Sequence, residues 1–128
     1  MLNSVEILDC DQPKHSRSWS INNIAEMTPR YSPSVGILNE SSILIMGGHD
    51  GVSNLSDAWI FNSKTRKGVV AVEDGPLSFI SRSNTINAEP GIVQALVRDE
   101  SFVVHMVRFT HRTKKVEVIQ TLGAEIDQ

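Results

Sequence analysis

The sequence predicts an all-β fold made of four-stranded antiparallel units, on three observations. Its apolar residues fall in short runs bounded by Gly, Pro, Asn, Asp and Ser, and no long segment keeps the period of a helix. The sharpest run, Ile43, Leu44, Ile45 and Met46, ends at Gly47–Gly48, a pair that permits φ > 0 and lets another backbone come close. Strand-and-turn pairs also recur, SVEILDC with WSINNI, AWIFNS with VVAVE, and VVHMVRF with VEVI, at a period of about 50 residues.

Residues 4–10 (SVEILDC) alternate around Val5, Ile7 and Leu8 and read as a strand. A polar connection containing Pro13, which cannot donate to a ladder, leads to a strand at 19–24 (WSINNI). That strand is poorer in apolar residues and so is expected outermost in its unit. Residues 26–34 carry Pro29 and Pro33 and read as a connection. A short strand at 35–38 (VGIL) precedes the ILIM run, whose unbroken apolar character implies cover on both faces. After Gly47–Gly48 and a polar loop, Ala58, Trp59, Ile60 and Phe61 form the next strand. A charged turn at 62–68 (NSKTRKG) leads to a strand at 69–73 (VVAVE), ended by Asp74–Gly75–Pro76. Further strands are expected at 83–87 (SNTIN), 92–97 (IVQALV), 102–109 (FVVHMVRF) and 116–119 (VEVI), with a tail from Leu122.

The 128 residues are 40 % hydrophobic and 21 % charged with a formal net charge of −3, which suits one ordinary folded domain and not a disordered chain. Mild acidity argues against nucleic acid, whose phosphates need a basic surface. No apolar stretch approaches the roughly 20 residues of a membrane span, so no membrane partner is expected and a cytoplasmic setting is the default. Cys10 is the single cysteine, which excludes an internal disulfide, and it reads as a small buried hydrophobe. His15, His49, His105 and His111 are scattered without ligand spacing, so no metal or other cofactor is expected. His105 reads as a satisfied structural histidine. Gly47, Gly48 and Gly51 lack the Lys–Ser/Thr ending and the following helix of a phosphate loop.

Strand, double glycine, polar loop and strand, repeated along the chain, resembles the Kelch repeat, the blade unit of one class of β-propeller. The resemblance implies the third and fourth strands of a partial blade at 1–26, a complete blade at 27–75, a divergent terminal blade at 76–123 and a tail at 124–128. On that alignment Arg30 and Arg82 each precede an inner strand. The family pairs a tyrosine on the third strand with a tryptophan opening the fourth, where this chain has Phe61 and Val69, and only Trp19 keeps the tryptophan. The last unit carries Val97–Arg98–Asp99 in place of the double glycine. Propellers close with four to eight blades, so roughly two and a half imply an incomplete propeller, a piece of a longer one or a chain needing partner copies. Apolar blade faces and free strand edges would then favour self-association.

The resemblance also implies a non-catalytic protein–protein interaction scaffold that binds a peptide or protein partner through loops on one rim. Carried over position by position, the connections before the inner strands supply Arg30, Tyr31 and Ser32, then Arg82, Ser83 and Asn84. The loop after the double glycine supplies His49, Asp50 and Asn54. Paired arginines bind carboxylates bidentately, and Ser and Asn adapt to peptide backbone, so an acidic or turn-forming peptide is expected. A structural role competes for Arg30 and Arg82, and local turn hydrogen bonds compete for His49 and Asp50. The competing function is part of a propeller enzyme, an oxidase or lyase, whose catalytic residues lie in other blades. Tyr31 is the single tyrosine, so a pair of tyrosine metal ligands cannot both come from this chain.

Overall fold

The computed structural model describes residues 4–8, 19–24 and 26–124, among which no helix occurs. Their strands form three antiparallel sheets. In the first, β1 (Ser4–Leu8) pairs with β2 (Trp19–Asn23). The second is a meander of β3 (Ser34–Asn39), β4 (Ser42–Met46), β5 (Ala58–Asn62) and β6 (Lys67–Val72), neighbours in space as in sequence. In the third, β7 (Ile80–Ser81) and β8 (Ile86–Glu89) share one edge of β9 (Ile92–Arg98). There β10 (Val103–Thr110) and β11 (Lys115–Ala124) continue the sheet on the far side of β9.

The middle sheet is covered from both sides, as the unbroken apolar run of β4 requires. Side chains alternate across a strand, so Leu44 and Met46 point one way and Ile43 and Ile45 the other. Leu44, Met46, Ala58 and Ile60 pack against Phe79, Val93, Ala95, Val97, Val107 and Phe109 of the third sheet. Ile45, Trp59 and Phe61 pack against Ile24 and Met27, with Val5 of β1 alongside. Burying such a side chain contributes about 1.5–3 kcal/mol, against about 1 kcal/mol net for a hydrogen bond, so this cover dominates the stability of β4 and β5.

Two glycines let the sheets approach. A Cβ on Gly36 would lie 2.6 Å from Val93 Cγ1, and one on Gly47 would lie 2.5 Å from Phe79 Cε1 and 2.8 Å from the Phe79 carbonyl oxygen. Gly47 also has φ +66 and Gly48 has φ +105. The third sheet keeps Val97–Arg98 at the corresponding place, counting from the hairpin ends where Ser42 pairs with Asn62 and Ile92 with Thr110. No further sheet packs there among the described residues, so side chains are tolerated.

Because β4 and β5 are apolar on both faces, hydrophobic pattern alone does not fix their register, and the turns do. Asn62 Oδ1 accepts from the N–H groups of Lys64 and Thr65, and the Arg66 N–H closes the turn on the Asn62 carbonyl at 2.8 Å. Arg66 sits at φ 62 at the end of this four-residue turn, and Lys114 at φ 55 ends the matching turn between β10 and β11. The two meanders thus repeat in turn geometry as well as in strand spacing.

Several expected boundaries change. The inner strand of the third sheet was expected over 83–87, but it is split into β7 and β8, with 82–85 off the ladder. The departure brings side chains to the open edge of β3. Thr85 Oγ1 donates to the Val35 carbonyl at 2.7 Å, and Asn87 Nδ2 donates to the Ile37 carbonyl. Edge carbonyls that no strand pairs are thereby satisfied. β6 begins two residues early, at Lys67, and β11 runs to Ala124 rather than ending at Ile119 before a tail at Leu122. Two register shifts between β10 and β11 accompany that longer strand. The reading of Cys10 falls outside the described residues, as does His15.

If Gly47 is the point of closest approach, Gly47→Ala should destabilise the protein by about 2–4 kcal/mol through left-handed strain and the Phe79 overlap. Urea unfolding followed by tryptophan fluorescence measures this, and the loss should shrink when Phe79→Ala is added.

Candidate functional site

Arg30 and Asp57 sit where the chain enters β3 and β5, and their side chains meet. Arg30 Nη1 and Nη2 bind Asp57 Oδ1 and Oδ2 at 2.5 and 2.9 Å, a bidentate fork. The same guanidinium donates to the Gly47 carbonyl at 3.1 Å and to the Thr28 carbonyl at 3.0 Å, while Trp59 Nε1 donates to Asp57 Oδ2 at 2.8 Å. Arg30 is 4 % exposed. The expectation that it recognises a partner is therefore corrected: its donors are engaged within the middle sheet by Asp57 and two backbone carbonyls. Arg82 is exposed and its N–H donates to the Leu96 carbonyl at 2.9 Å, while the ring that fills the space above Gly47 is that of Phe79.

Tyr31, His49 and Asn54 come together as expected, in a cleft of about 360 Å³ between the middle and third sheets. Tyr31 and His49 are paired across a bridge, and their rings lie 5.0 Å apart. His49 Nδ1 accepts from the Gly51 N–H at 2.9 Å, so in the neutral ring the proton lies on Nε2. From the third sheet the wall is built by Ile80, Arg98, Glu100 and Phe102, with the Arg98 guanidinium 4.9 Å over the Phe102 ring. The Asn54 N–H donates to Glu100 Oε1 at 2.8 Å, tying the two loops together. Tyr31 is 47 %, Phe102 53 % and Val52 89 % exposed, so the cleft offers apolar and aromatic surface to solvent.

The other expected residues lie differently. Asp50 Oδ1 accepts from Val52 and Ser53 N–H groups at 2.8 and 2.9 Å, the local turn role. Those two N–H groups hold its carboxyl below the ordinary value. Ser32, at φ 54, accepts from the Ser81 N–H through its carbonyl at 2.8 Å. Arg82, Ser83 and Asn84 are exposed and are not among the residues lining the cleft. The acidic-peptide expectation thus loses one of its two arginines.

Sequence reasoning missed Val52, Ile80, Arg98, Glu100 and Phe102. Phe102 was assigned to a strand, whereas it closes a turn at φ 62, with its N–H on the Asp99 carbonyl at 3.1 Å. Asp99 Oδ1 caps the same turn through Ser101 and Val103 N–H groups, and Asp99 Oδ2 meets His105 Nε2 at 2.9 Å. His105 Nδ1 meets Thr121 Oγ1 at 3.0 Å, so this buried histidine is held on both nitrogens, as a structural one should be. Burial pushes the Asp99 carboxyl up, but the His105 ring and the two N–H groups outweigh it and hold the carboxyl below its ordinary value.

A larger depression of about 580 Å³ lies at the other end of β9, around Gly91, His111 and Lys114. It is lined by the tips of two hairpins of a single sheet. Burial, with Lys114 alongside, lowers the His111 pKa, so that ring adds no charge at neutral pH. No group of three or more His, Cys, Asp or Glu able to hold a metal occurs among the described residues. Nor is any helix there long and apolar enough to cross a membrane.

Removing one member of a buried ion pair strands the other, so Arg30→Met should cost about 3 kcal/mol or more in urea unfolding, far beyond an exposed arginine. Asp99, with its pKa lowered on folding, stabilises above the unfolded value of 3.8, and this contribution is lost as pH falls below that value through the folded one. Asp99→Asn should flatten the stability–pH profile there, measured by thermal unfolding across that range.

Among known proteins, no family model matches this chain and no curated protein matches its sequence.

Proposed function

We propose that this chain is a non-catalytic protein-interaction module of Kelch-type propeller blades, taking a peptide or protein partner on the rim cleft between its middle and third sheets. The observation that carries this reading is the cleft itself. Loops from two sheets meet there and hold Tyr31 and Phe102 half exposed above a backbone that hydrogen bonds keep rigid. Aromatic anchors of this kind contribute contact area at low entropic cost, because their rings have few rotamers to lose.

Two consecutive antiparallel meanders with matching turns, packed face to face through glycines, support the blade assignment. Phe102 supports the binding assignment separately. A bulky side chain at positive φ costs of order 1–3 kcal/mol, and solvent returns nothing for it. A ligand seated between the Tyr31–His49 pair and Phe102 would. An extended peptide with one large apolar side chain fits that slot.

Selection from a displayed random-peptide library on the immobilised protein tests this. Enriched peptides should lose roughly thirtyfold in affinity to Phe102→Gly and to Tyr31→Ala, the loss of about 2 kcal/mol expected of an anchor. Phe102→Gly should meanwhile leave stability unchanged or raise it by about 1 kcal/mol by relieving the left-handed conformation. Failure to enrich any peptide, or binders indifferent to both substitutions, would sink the reading.

A further inference from the structure

The turns that close the two meanders repeat a charge pattern as well as a conformation. Residues 64–67 read Lys–Thr–Arg–Lys, and residues 112–115 read Arg–Thr–Lys–Lys. The turns are equivalent, since Asn62 pairs with Lys67 as Thr110 pairs with Lys115. Glycine takes a left-handed position freely, so turn chemistry alone does not call for the long cations Arg66 and Lys114 there. All eight of these residues are exposed. The turns at 62–67 and 110–115 together hold six of the twelve Lys and Arg residues. The rest of the chain carries the other six against all fifteen Asp and Glu, so the positive charge is concentrated here.

Both turns lie at one end of the molecule. The Gly91 N–H donates to the Leu38 carbonyl at 3.1 Å, and the His111 N–H donates to the Gly91 carbonyl at 2.8 Å, which joins 110–115 to the end of β3. Ser42 pairs with Asn62, which puts 62–67 at that same end. The rim cleft is at the other, where the Gly48 N–H meets the Phe79 carbonyl. Among the described residues, no carboxylate pairs with Lys64, Lys67, Arg112, Lys114 or Lys115. Lys114 Nζ donates to the His111 carbonyl at 2.9 Å, which leaves its charge uncompensated. The acidic side chains at this end are Glu40 and Glu89, on the inner turns, and Glu117, which lies across from Arg108.

From this arrangement we infer that the two outer turns form a docking surface for an acidic polypeptide segment, a run of Asp and Glu that lies extended from one turn to the other. The placing of the charges sets the shape of the partner. An extended chain is narrow enough to meet Lys64, Lys67, Arg112 and Lys115 while passing clear of Glu40 and Glu89. A flat anionic membrane would meet the acidic inner turns as well. None of these turns carries an aromatic residue on which bases could stack, as single-stranded nucleic acid requires. Packed sheets lie about 10 Å apart and an extended chain advances about 3.3 Å per residue, so about eight residues span both turns. Arg112 offers such a chain a bidentate fork, and the lysines offer point charges. This surface is separate from the rim cleft and stands if that reading fails.

A fluorescein-labelled peptide of about eight glutamates, titrated with the whole chain at low ionic strength and followed by anisotropy, tests this. Binding should saturate, weaken steadily with added salt, and shift the backbone amide NMR signals of 62–67 and 110–115. Lys64→Gln with Lys67→Gln, and separately Arg112→Gln with Lys115→Gln, should each weaken binding about fivefold or more. Thermal unfolding should be unchanged in both, because all four side chains stand in solvent. Arg82→Gln, which removes a cation away from these turns, should alter affinity less than about twofold. Phe102→Gly should leave it unchanged. The inference is overturned if the peptide does not saturate, if either double variant binds it as well as the parent chain, or if Arg82→Gln weakens it as much as they do. It is equally overturned if phosphatidylserine vesicles, or an oligothymidylate of the same length, bind more tightly than the peptide at the same salt. The partner would then be a membrane or a nucleic acid.

Discussion

Two strands with no polar face, β4 and β5, impose the architecture, because neither side of them can be left to water. Leu44, Met46, Ala58 and Ile60 require one cover, while Ile45, Trp59 and Phe61 require another. A single sheet with solvent on one side would expose half of these residues, at a cost of about 25 cal/mol for each Å² of apolar surface. The middle sheet is therefore central by necessity, and its neighbours take their positions from it. Gly36 and Gly47 set how near the third sheet can come, since any side chain there would strike Val93 or Phe79.

What the middle sheet holds rigid, the rim uses. Arg30 ties the entrance of β3 to the entrance of β5 through Asp57 and clasps the Gly47 carbonyl where β4 ends. Asp50 and Asp99 close the flanking turns by accepting backbone N–H groups. These carboxylates and this guanidinium are occupied in building the loops, which leaves aromatic and aliphatic groups as the surface presented between them.

The same physics explains where the repeat holds and where it lapses. Turns ending in Arg66 and Lys114 share a left-handed last residue because both must reverse a twisted hairpin in four residues. The double glycine appears in the middle sheet, where another sheet presses on it, and is replaced by side chains in the third, where none does among the described residues. Thr85 and Asn87 turn their side chains to the carbonyls of β3, so the inner edge of one sheet is finished by side chains of the next.

The sequence by itself determined the strand content, the approximate order and spacing of the strands, the two-sided burial of β4, and the structural part played by His105. These are consequences of local pattern: side-chain alternation, turn residues and glycine placement act within a few residues. The burial of Arg30, the split of β7 from β8 and the presence of Phe102 in the cleft were decided only by tertiary structure. An arginine before a strand looks the same whether it faces solvent or an aspartate 27 residues away. Its role depends on which carboxylate the folded chain carries to it, and a short motif contains no record of that distance.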